Sequence, residues 1–184
     1  MCIRDRVAGF NPYEQPTVRD LLYGVLLPSG ADACETLARA VGGSEEGFVA
    51  MMNQKAEELG LTNTHFENCT GLHNDNHYST CRDIAVLMSE CLKSDTFREI
   101  VTREVYTTEA TASHPEGITL YDTMLHRFTS YEMSTTLENG AVIEGGKTGF
   151  TDEAGQCLVS FAEYGGEEYI LLSLIHISEP TRPY

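Results

Sequence analysis

Residues 144–155 read EGGKTGFTDEAG, and the centre of this stretch, GGKTG, can form either of two local structures. A lysine and a threonine among glycines can hold a phosphate in a loop that opens a helix. The same residues can instead form a strand edge on which the carboxylate of a peptide docks. The flanking residues distinguish these two interpretations.

The phosphate-loop interpretation fails on spacing. That pattern requires a glycine, four further residues, and then Gly-Lys-Ser/Thr. Counting back from Lys147, the first position falls on Ala141, and Gly140 lies one residue too early. The residues that follow, GFTDEAGQ, have no apolar face of helical period, so no helix N-terminus follows to face an anion. We therefore expect no nucleotide binding at GGKTG.

Interpreted as a strand, the same segment has a chemical use. Lys147 supplies positive charge for a carboxylate, and the hydroxyl group of Thr148 can donate to the same group. Gly149 has no side chain, which leaves room for the backbone of a bound peptide along the strand. Alternation along a strand predicts Lys147 and Gly149 on one side and Thr148 on the other, unless the edge twists at the site.

Around this segment, the chain divides into a helical first half and a β-rich second half. Helical spacing of apolar residues, with capping residues or Gly and Pro at the ends, predicts helices over 17–27, 33–41, 45–59 and 81–93, and a short one from Ser94. The third helix would place Phe48, Met51, Lys55 and Leu59 on one face. Residues 61–78, rich in Asn, Asp and Gly, predict a loop.

Strand-like runs follow in the second half of the chain. They are REVYTT (103–108), AVIEGGKTGF (141–150), CLVSFAE (157–163) and EEYILLSL (167–174). Gly165 and Gly166 between the last two runs predict a hairpin turn. A helical block followed by an antiparallel sheet is an α+β arrangement, which we predict for this chain.

Composition excludes several classes of protein. The 184 residues are 41% hydrophobic, which suits one core or part of a larger domain. The 28 acidic and 12 basic side chains give a formal charge of −16, and such a surface repels a nucleic-acid backbone. No run approaches the about 18 apolar residues of a membrane span.

The cysteines and histidines raise the question of a metal site. His65, Cys69, His73, His77 and Cys81 recur every fourth residue, which on one helix would align metal ligands. Gly71 and the surrounding Asn and Asp residues oppose a continuous helix, so we expect a packed polar loop without zinc. The sequence contains no Cys-x-x-Cys pair, and its cysteines are predicted to be buried free thiols.

The two ends of the sequence differ in character from the rest. MCIRDR at the start and LIHISEPTRPY at the finish look like translated sequencing-adapter ends. We therefore expect residues 1–6 and 175–184 to be artefacts, and residues 7–174 to be part of one catalytic domain. The first residues also lack the apolar core of a signal peptide.

Three stretches in a fixed order resemble the penicillin-binding D-alanyl-D-alanine carboxypeptidases of serine peptidase family S11. TVRDLLYGVLLPSGADA (17–33) is similar to the family's helix that leads into its S-x-N motif. The stretch from Gly43 to Met88 is similar to the segment that follows, and GGKTGFTDEAGQCLVSF (145–161) to its K-T-G strand. The resemblance implies the fold shared by serine β-lactamases and D,D-peptidases, truncated at its N-terminal side.

The resemblance also implies a reaction and residue roles. A serine would attack the bond between two terminal D-alanines of a peptidoglycan stem peptide, and water would release the acyl-enzyme. Ser29 would relay protons and hold the lysines in register. Lys147, Thr148 and Gly149 would bind the terminal carboxylate and align the substrate, with Ser29 and Lys147 counted as catalytic. No cofactor or metal is implied, and β-lactams would act as inhibitors.

This sequence departs from the family pattern at two places. The family's Ser-x-x-Lys motif is absent, since the residues three positions before the chain's lysines are Met52, Glu90 and Glu144. The resemblance places the attacking serine in that motif, so we expect this chain alone to be inactive. The third residue of S-x-N is Ala31, where the family has an amide that bonds the substrate, and Asp32 next to it is expected to point elsewhere.

Several alternatives stay open at this level. The chain could belong to a catalytically dead protein that binds D-Ala-D-Ala, or to a serine β-lactamase relative with a deacylating glutamate. Ser29 could be a helix cap before ADACETLA, and Arg127 could contact a carboxylate, although the local match assigns it no role. By resemblance the protein works outside the cytoplasmic membrane, and a C-terminal anchor of the family's kind is not in this sequence.

Overall fold

The computed structural model describes residues 7–176, so the expectations for residues 1–6 and 177–184 lie outside the described part of the chain. It contains the helices α1 (Val18–Leu26), α2 (Ala31–Gly42), α3 (Glu45–Glu58), α4 (Cys81–Cys91), α5 (Asp95–Val101) and α6 (Leu125–Ser130). Its strands are β1 (Val105–Thr107), β2 (Thr119–Tyr121), β3 (Val142–Thr151), β4 (Gly155–Tyr164) and β5 (Glu167–His176).

The strands form two antiparallel sheets instead of one. β1 pairs with β2, whereas β3, β4 and β5 form a separate sheet in that order. The hairpin between β4 and β5 turns at Gly165 and Gly166, whose φ angles are 64° and 83°. Two positive φ angles in a row suit the tight turn that the sequence predicts there.

Capping residues set the helix starts. Thr17 and Asp20 form a reciprocal capping box at the start of α1. Thr80 caps α4, but the carboxylate of Asp83 turns away and accepts the backbone N–H of Asn63 at 2.9 Å. Asp83 therefore fastens the loop that leads from α3 to α4 instead of completing a capping box.

The buried face of α3 differs from the prediction. Met51 is 47% exposed, and Ala56 is the buried residue of this helix. A Cβ on Gly42 would lie 2.4 Å from the backbone nitrogen of Phe48, so α2 and the first turn of α3 touch closely. This contact turns Met51 and Lys55 toward solvent, a rotation that apolar spacing alone does not reveal.

The core has two clusters that meet on α5. One contains Leu21, Tyr23, Leu27, Ala33 and Ile100 from the helical half, together with Ala8 and Leu120. The other contains Met88, Leu92, Val101 and Phe161, and joins α4 and α5 to the three-stranded sheet. The neighbouring residues Ile100 and Val101 thus serve different clusters.

The glycine pair at the start of GGKTG allows β3 to pack closely. A Cβ on Gly145 would lie 2.3 Å from the carbonyl oxygen of Val101, and one on Gly146 would lie 2.4 Å from that of Val159. A Cβ on Gly149 would meet only the Cβ of Cys157, at 3.7 Å. The first two glycines therefore serve packing, whereas the third leaves the strand edge open.

The segment before α1 is held by Asp32, the second residue of α2. Its carboxylate accepts the backbone N–H groups of Ala8, Gly9 and Phe10 at 2.7, 2.9 and 3.0 Å. The predicted orientation of Asp32, away from the motif, agrees with these contacts. They tie the start of α2 to residues 8–10.

A second contact ties this segment to the loop between β1 and β2. The carboxylate of Glu14 bonds the hydroxyl group of Thr111 and lies 2.8 Å from Nδ1 of His114. Burial raises the pKa of Glu14, but the bonds from His114, Thr111 and the Asn11 backbone outweigh it and lower the pKa from 4.5 to about 2.

This lowered pKa predicts a pH dependence of stability. Because the folded-state pKa lies below the unfolded value, Glu14 stabilises the fold above pH 4.5, and this contribution is lost as pH falls toward 2. In urea unfolding, we expect Glu14→Gln to have a lower midpoint than the unsubstituted chain at about pH 6, and a nearly equal one at about pH 2. Glu116→Gln, an exposed glutamate in the loop between β1 and β2, is the control. A difference between the two urea midpoints that is as large at about pH 2 as at about pH 6 would contradict the stabilising role of Glu14.

The cysteines within residues 7–176 are free, as predicted, but less buried than predicted. Cys81 is exposed, and Cys34, Cys69, Cys91 and Cys157 are half-buried. The predicted loop of His65 and its neighbours is also present, so the four-residue spacing does not align side chains on a helix. None of the helices between residues 7 and 176 is long and apolar enough to cross a bilayer.

Candidate active site

Ser29 lies in the turn between α1 and α2 with an unusual backbone conformation. Its φ angle is 63°, in the left-handed region that non-glycine residues rarely adopt. The residue that caps α2 is Gly30, which makes no side-chain cap bond. The capping alternative for Ser29 is therefore wrong, because its hydroxyl group accepts a hydrogen bond from Nζ of Lys147 instead.

Lys147 comes to this turn from the middle of β3. Besides Ser29, its Nζ donates to the carbonyl oxygen of Thr148 at 2.9 Å. The strand and the turn are 118 residues apart in sequence, and the lysine bridges them. The structure thus brings together the two residues that the sequence analysis expected to be catalytic.

Thr148 contacts a third segment of the chain. Its hydroxyl group lies 2.6 Å from that of Thr123, which precedes α6. The backbone N–H of Thr123 in turn donates to the carbonyl oxygen of Leu27 at 3.2 Å. Lys147 and Thr148 therefore contact different residues, as the alternation of side chains along a strand predicts. The contacted residues, Ser29 and Thr123, lie near each other, so both side chains reach one site.

Asp122 is the residue of this site that the sequence analysis missed. Its side chain is 1% exposed, and its Oδ1 accepts the backbone N–H groups of Met124 and Leu125 at 2.8 and 2.6 Å. Burial raises the pKa of Asp122, and Glu104 raises it further, whereas the two N–H groups and the charge of Lys147 lower it. The net direction is upward.

A shallow cavity adjoins these residues. It has a volume of about 220 Å³ and is lined by Tyr121, Asp122, Thr123, His126 and Arg127. Arg127 is exposed on α6 and adds positive charge to this side of the site. A larger cavity of about 590 Å³ lies between α3 and the loop around His65 and His73, and its lining includes neither Ser29 nor Lys147.

Gly149 follows Thr148 on an exposed part of β3. β3 is an edge strand of its sheet, since it pairs only with β4 among the described strands. An exposed edge offers backbone N–H and C=O groups to an extended peptide. Positive charge, hydroxyl groups and an open strand edge therefore converge where a peptide carboxylate could dock.

Comparison with known proteins agrees with this arrangement. The family profile of peptidase S11, D-alanyl-D-alanine carboxypeptidase, matches residues 7–175. The chain belongs to this family. The predicted family is thereby confirmed.

Similar proteins include two curated carboxypeptidases. A D-alanyl-D-alanine carboxypeptidase of Streptomyces sp. (strain K15) is 38% identical over 175 residues, which cover 92% of this chain and 58% of that protein. DacF of Bacillus subtilis (strain 168) is 37% identical over 156 residues, which cover 84% of this chain and 37% of that protein. The chain thus spans between about a third and three fifths of these S11 relatives.

Solved structures confirm the predicted fold class. The Streptomyces K15 DD-transpeptidase matches with a TM-score of 0.77 and 34% identity, over 94% of this chain and 66% of that one. A D-alanyl-D-alanine carboxypeptidase from Mycobacterium tuberculosis H37Rv matches with a TM-score of 0.78 and 28% identity, over 96% and 62%. The α+β fold of this S11 chain is therefore that of the D,D-peptidases.

The strained backbone of Ser29 predicts an order of stabilities. Ser29→Gly should relieve the positive φ angle, whereas Ser29→Ala should keep the strain, and both lose the hydroxyl bond to Lys147. We therefore expect the glycine variant to be more stable than the alanine variant by about 1 kcal/mol in urea unfolding. Equal stabilities would show that the turn carries no strain at this residue.

Proposed function

We propose that this chain forms the substrate-aligning part of a serine D-Ala-D-Ala carboxypeptidase. Such an enzyme removes the terminal D-alanine of peptidoglycan stem peptides through an acyl-enzyme and is acylated by penicillin. The observation that carries the proposal is the contact between Lys147 and Ser29 beside the open strand edge at Gly149. Its substrate is extracytoplasmic, which places the protein outside the cytoplasmic membrane.

In this proposal each residue of the site has a defined role. The ammonium group of Lys147 attracts the terminal carboxylate, and the hydroxyl group of Thr148 donates to it. The strand edge at Gly149 bonds the peptide backbone, and Ser29 passes a proton between the reacting groups. The attacking serine would come from a Ser-x-x-Lys motif, which the present 184 residues do not contain. This chain alone therefore binds the peptide without cleaving it.

The carboxylate role of Lys147 can be tested by titration with a peptide. We expect N-acetyl-Lys-D-Ala-D-Ala to shift the backbone NMR signals of Thr148 and Gly149, and its C-terminal amide to bind about tenfold more weakly, because a charge-assisted bond is lost. Lys147→Met should remove this preference for the free carboxylate. Equal binding of the two peptides, or shifts confined to the cavity at α3, would contradict the proposal.

A non-catalytic peptidoglycan-binding protein is the second candidate, supported by Ala31 at the motif position. Both candidates predict peptide binding, so the coding sequence upstream of codon 7 must separate them. A Ser-x-x-Lys there would support the enzyme and justify an assay of D-alanine release from the longer protein. A continuous reading frame without that motif would support the binding protein.

The β-lactamase alternative has less support in the structure. It requires a deacylating glutamate near the reacting groups, and the loop before α4 offers Glu67. The carboxylate of Glu67 lies 3.0 Å from Nε2 of His65. Glu67 lines the larger cavity, whose lining does not include Ser29 or Lys147. Glu67 is therefore not in position for that role.

A further inference from the structure

Asp122 carries a buried oxygen that its structural role does not use. Oδ1 accepts the two backbone N–H groups of Met124 and Leu125 at the start of α6, which satisfies these two donors. Oδ2 is inaccessible to solvent and has no hydrogen-bond partner, and it is the single such atom among the side chains of residues 7–174. An uncompensated buried carboxylate oxygen is unfavourable, so another interaction must account for a charged residue here.

The surroundings of Asp122 lie between the two halves of the site. Its own N–H donates to the carbonyl oxygen of Glu104 at 2.8 Å. The next residue, Thr123, bonds the carbonyl oxygen of Leu27 with its N–H and the hydroxyl group of Thr148 with its side chain. Asp122 is therefore fixed where the turn of Ser29 meets the strand of Lys147.

Four charged or titratable groups surround this carboxylate. Lys147 acts on it with opposite charge and Glu104 with like charge. Nδ1 of His126 lies 3.1 Å from the carboxylate of Glu104, and Arg127 lines the same cavity. Of these cations, Lys147 is the one whose charge acts on Asp122.

We propose that Asp122 is a positioning residue for Lys147. The negative charge of the Asp122 carboxylate holds the ammonium group of Lys147 at the junction of Ser29 and Thr148. A neutral asparagine could accept the same two backbone N–H groups, so we assign the charge itself to the lysine. This inference deepens the proposed function, on which its catalytic meaning rests. The electrostatic pairing can be tested without any substrate.

The test uses Asp122→Asn, which keeps an Oδ1 acceptor for the N–H groups of Met124 and Leu125 and removes the charge. The chain contains three lysines, so lysine labelled with ¹³C at Cε gives three signals, with Lys55 and Lys93 as internal references. We expect the pKa of Lys147 to fall by about one pH unit or more in the variant, because the lysine loses the charge of the Asp122 carboxylate. The pKa values of Lys55 and Lys93 should stay unchanged. An unchanged Lys147 pKa would overturn the inference.

Glu116→Gln, which removes one exposed negative charge, is the matched control for net charge. Should Asp122→Asn fail to fold, the unsubstituted chain still provides a test. Its Lys147 signal should show a second inflection at acid pH as Asp122 gains a proton, and a signal without this inflection would overturn the inference. A peptide that does not bind the unsubstituted chain would refute the proposed function and leave this result unaffected.

Discussion

A Gly145→Ala substitution is expected to lower the free energy of unfolding by about 3 kcal/mol, the upper part of the range for overpacked interiors. The added methyl group would lie 2.3 Å from the carbonyl oxygen of Val101, a distance that no real contact tolerates. This oxygen belongs to the end of α5, so the helix or β3 must shift.

The shift would be costly because both neighbours are fixed. Val101 is buried in the cluster that joins α5 to the sheet, and the ring of Phe161 lies 3.0 Å from the same Cβ position. Neither side can give way as a flexible side chain would. Protein interiors are packed too densely to absorb such an overlap without moving backbone.

Gly149→Ala provides the matched control on the same strand. Its Cβ would meet only Cys157, at an ordinary contact distance of 3.7 Å, so we expect a loss of less than about 1 kcal/mol. Urea unfolding of the two variants measures both values. Equal losses, or a larger one for Gly149→Ala, would contradict the different roles assigned to the two glycines.

Asp32→Ala is expected to destabilise the fold by about 3 kcal/mol. The substitution leaves the N–H groups of Ala8, Gly9 and Phe10 without their acceptor, and hydrogen bonds to a charged group are the stronger class. It also removes a negative charge from the first turn of α2, where the helix dipole favours one. Unfolding in urea and amide exchange at residues 8–10 measure the effect.

Glu35→Gln on the same helix is the control, because it also removes one negative charge. Its partner Arg39 lies 3.4 Å away at the surface, and such exposed pairs contribute about 0.5 kcal/mol. A loss in Asp32→Ala no greater than in this control would mean that residues 8–10 are held by packing of Ala8 alone. Slow amide exchange at residues 8–10 in Asp32→Ala would lead to the same conclusion.

The sequence predicts the long elements because each repeats a pattern over several turns or strand pairs. α1, α4, β4 and β5 follow their predicted ranges closely, and the glycine pair marks the last hairpin. β2 and α6 escape prediction, since three and six residues are too short to show a period. The face of α3 is mispredicted because its rotation depends on contact with another helix.

The site shows the same division between local and distant information. The glycine spacing of GGKTG does not fit a phosphate loop and favours a strand edge. That Ser29 and Lys147 act together is predicted from the family resemblance alone. Asp122 gives no signal, because one aspartate after a short strand is ordinary. Its importance depends on contacts of its neighbour Thr123 with Leu27 and Thr148, which lie far away in sequence.

The adjacent residues Ile100 and Val101 link the unfolding of the two core clusters. α5 has seven residues, too few to persist as an isolated helix, so it survives only while both clusters hold it. If either cluster is lost, α5 is no longer held in place, and the other cluster loses the residue that α5 contributes to it. The helical half and the β3–β5 sheet therefore form a single cooperative unit, and Ser29 and Lys147, one on each half, separate only when the whole fold is lost.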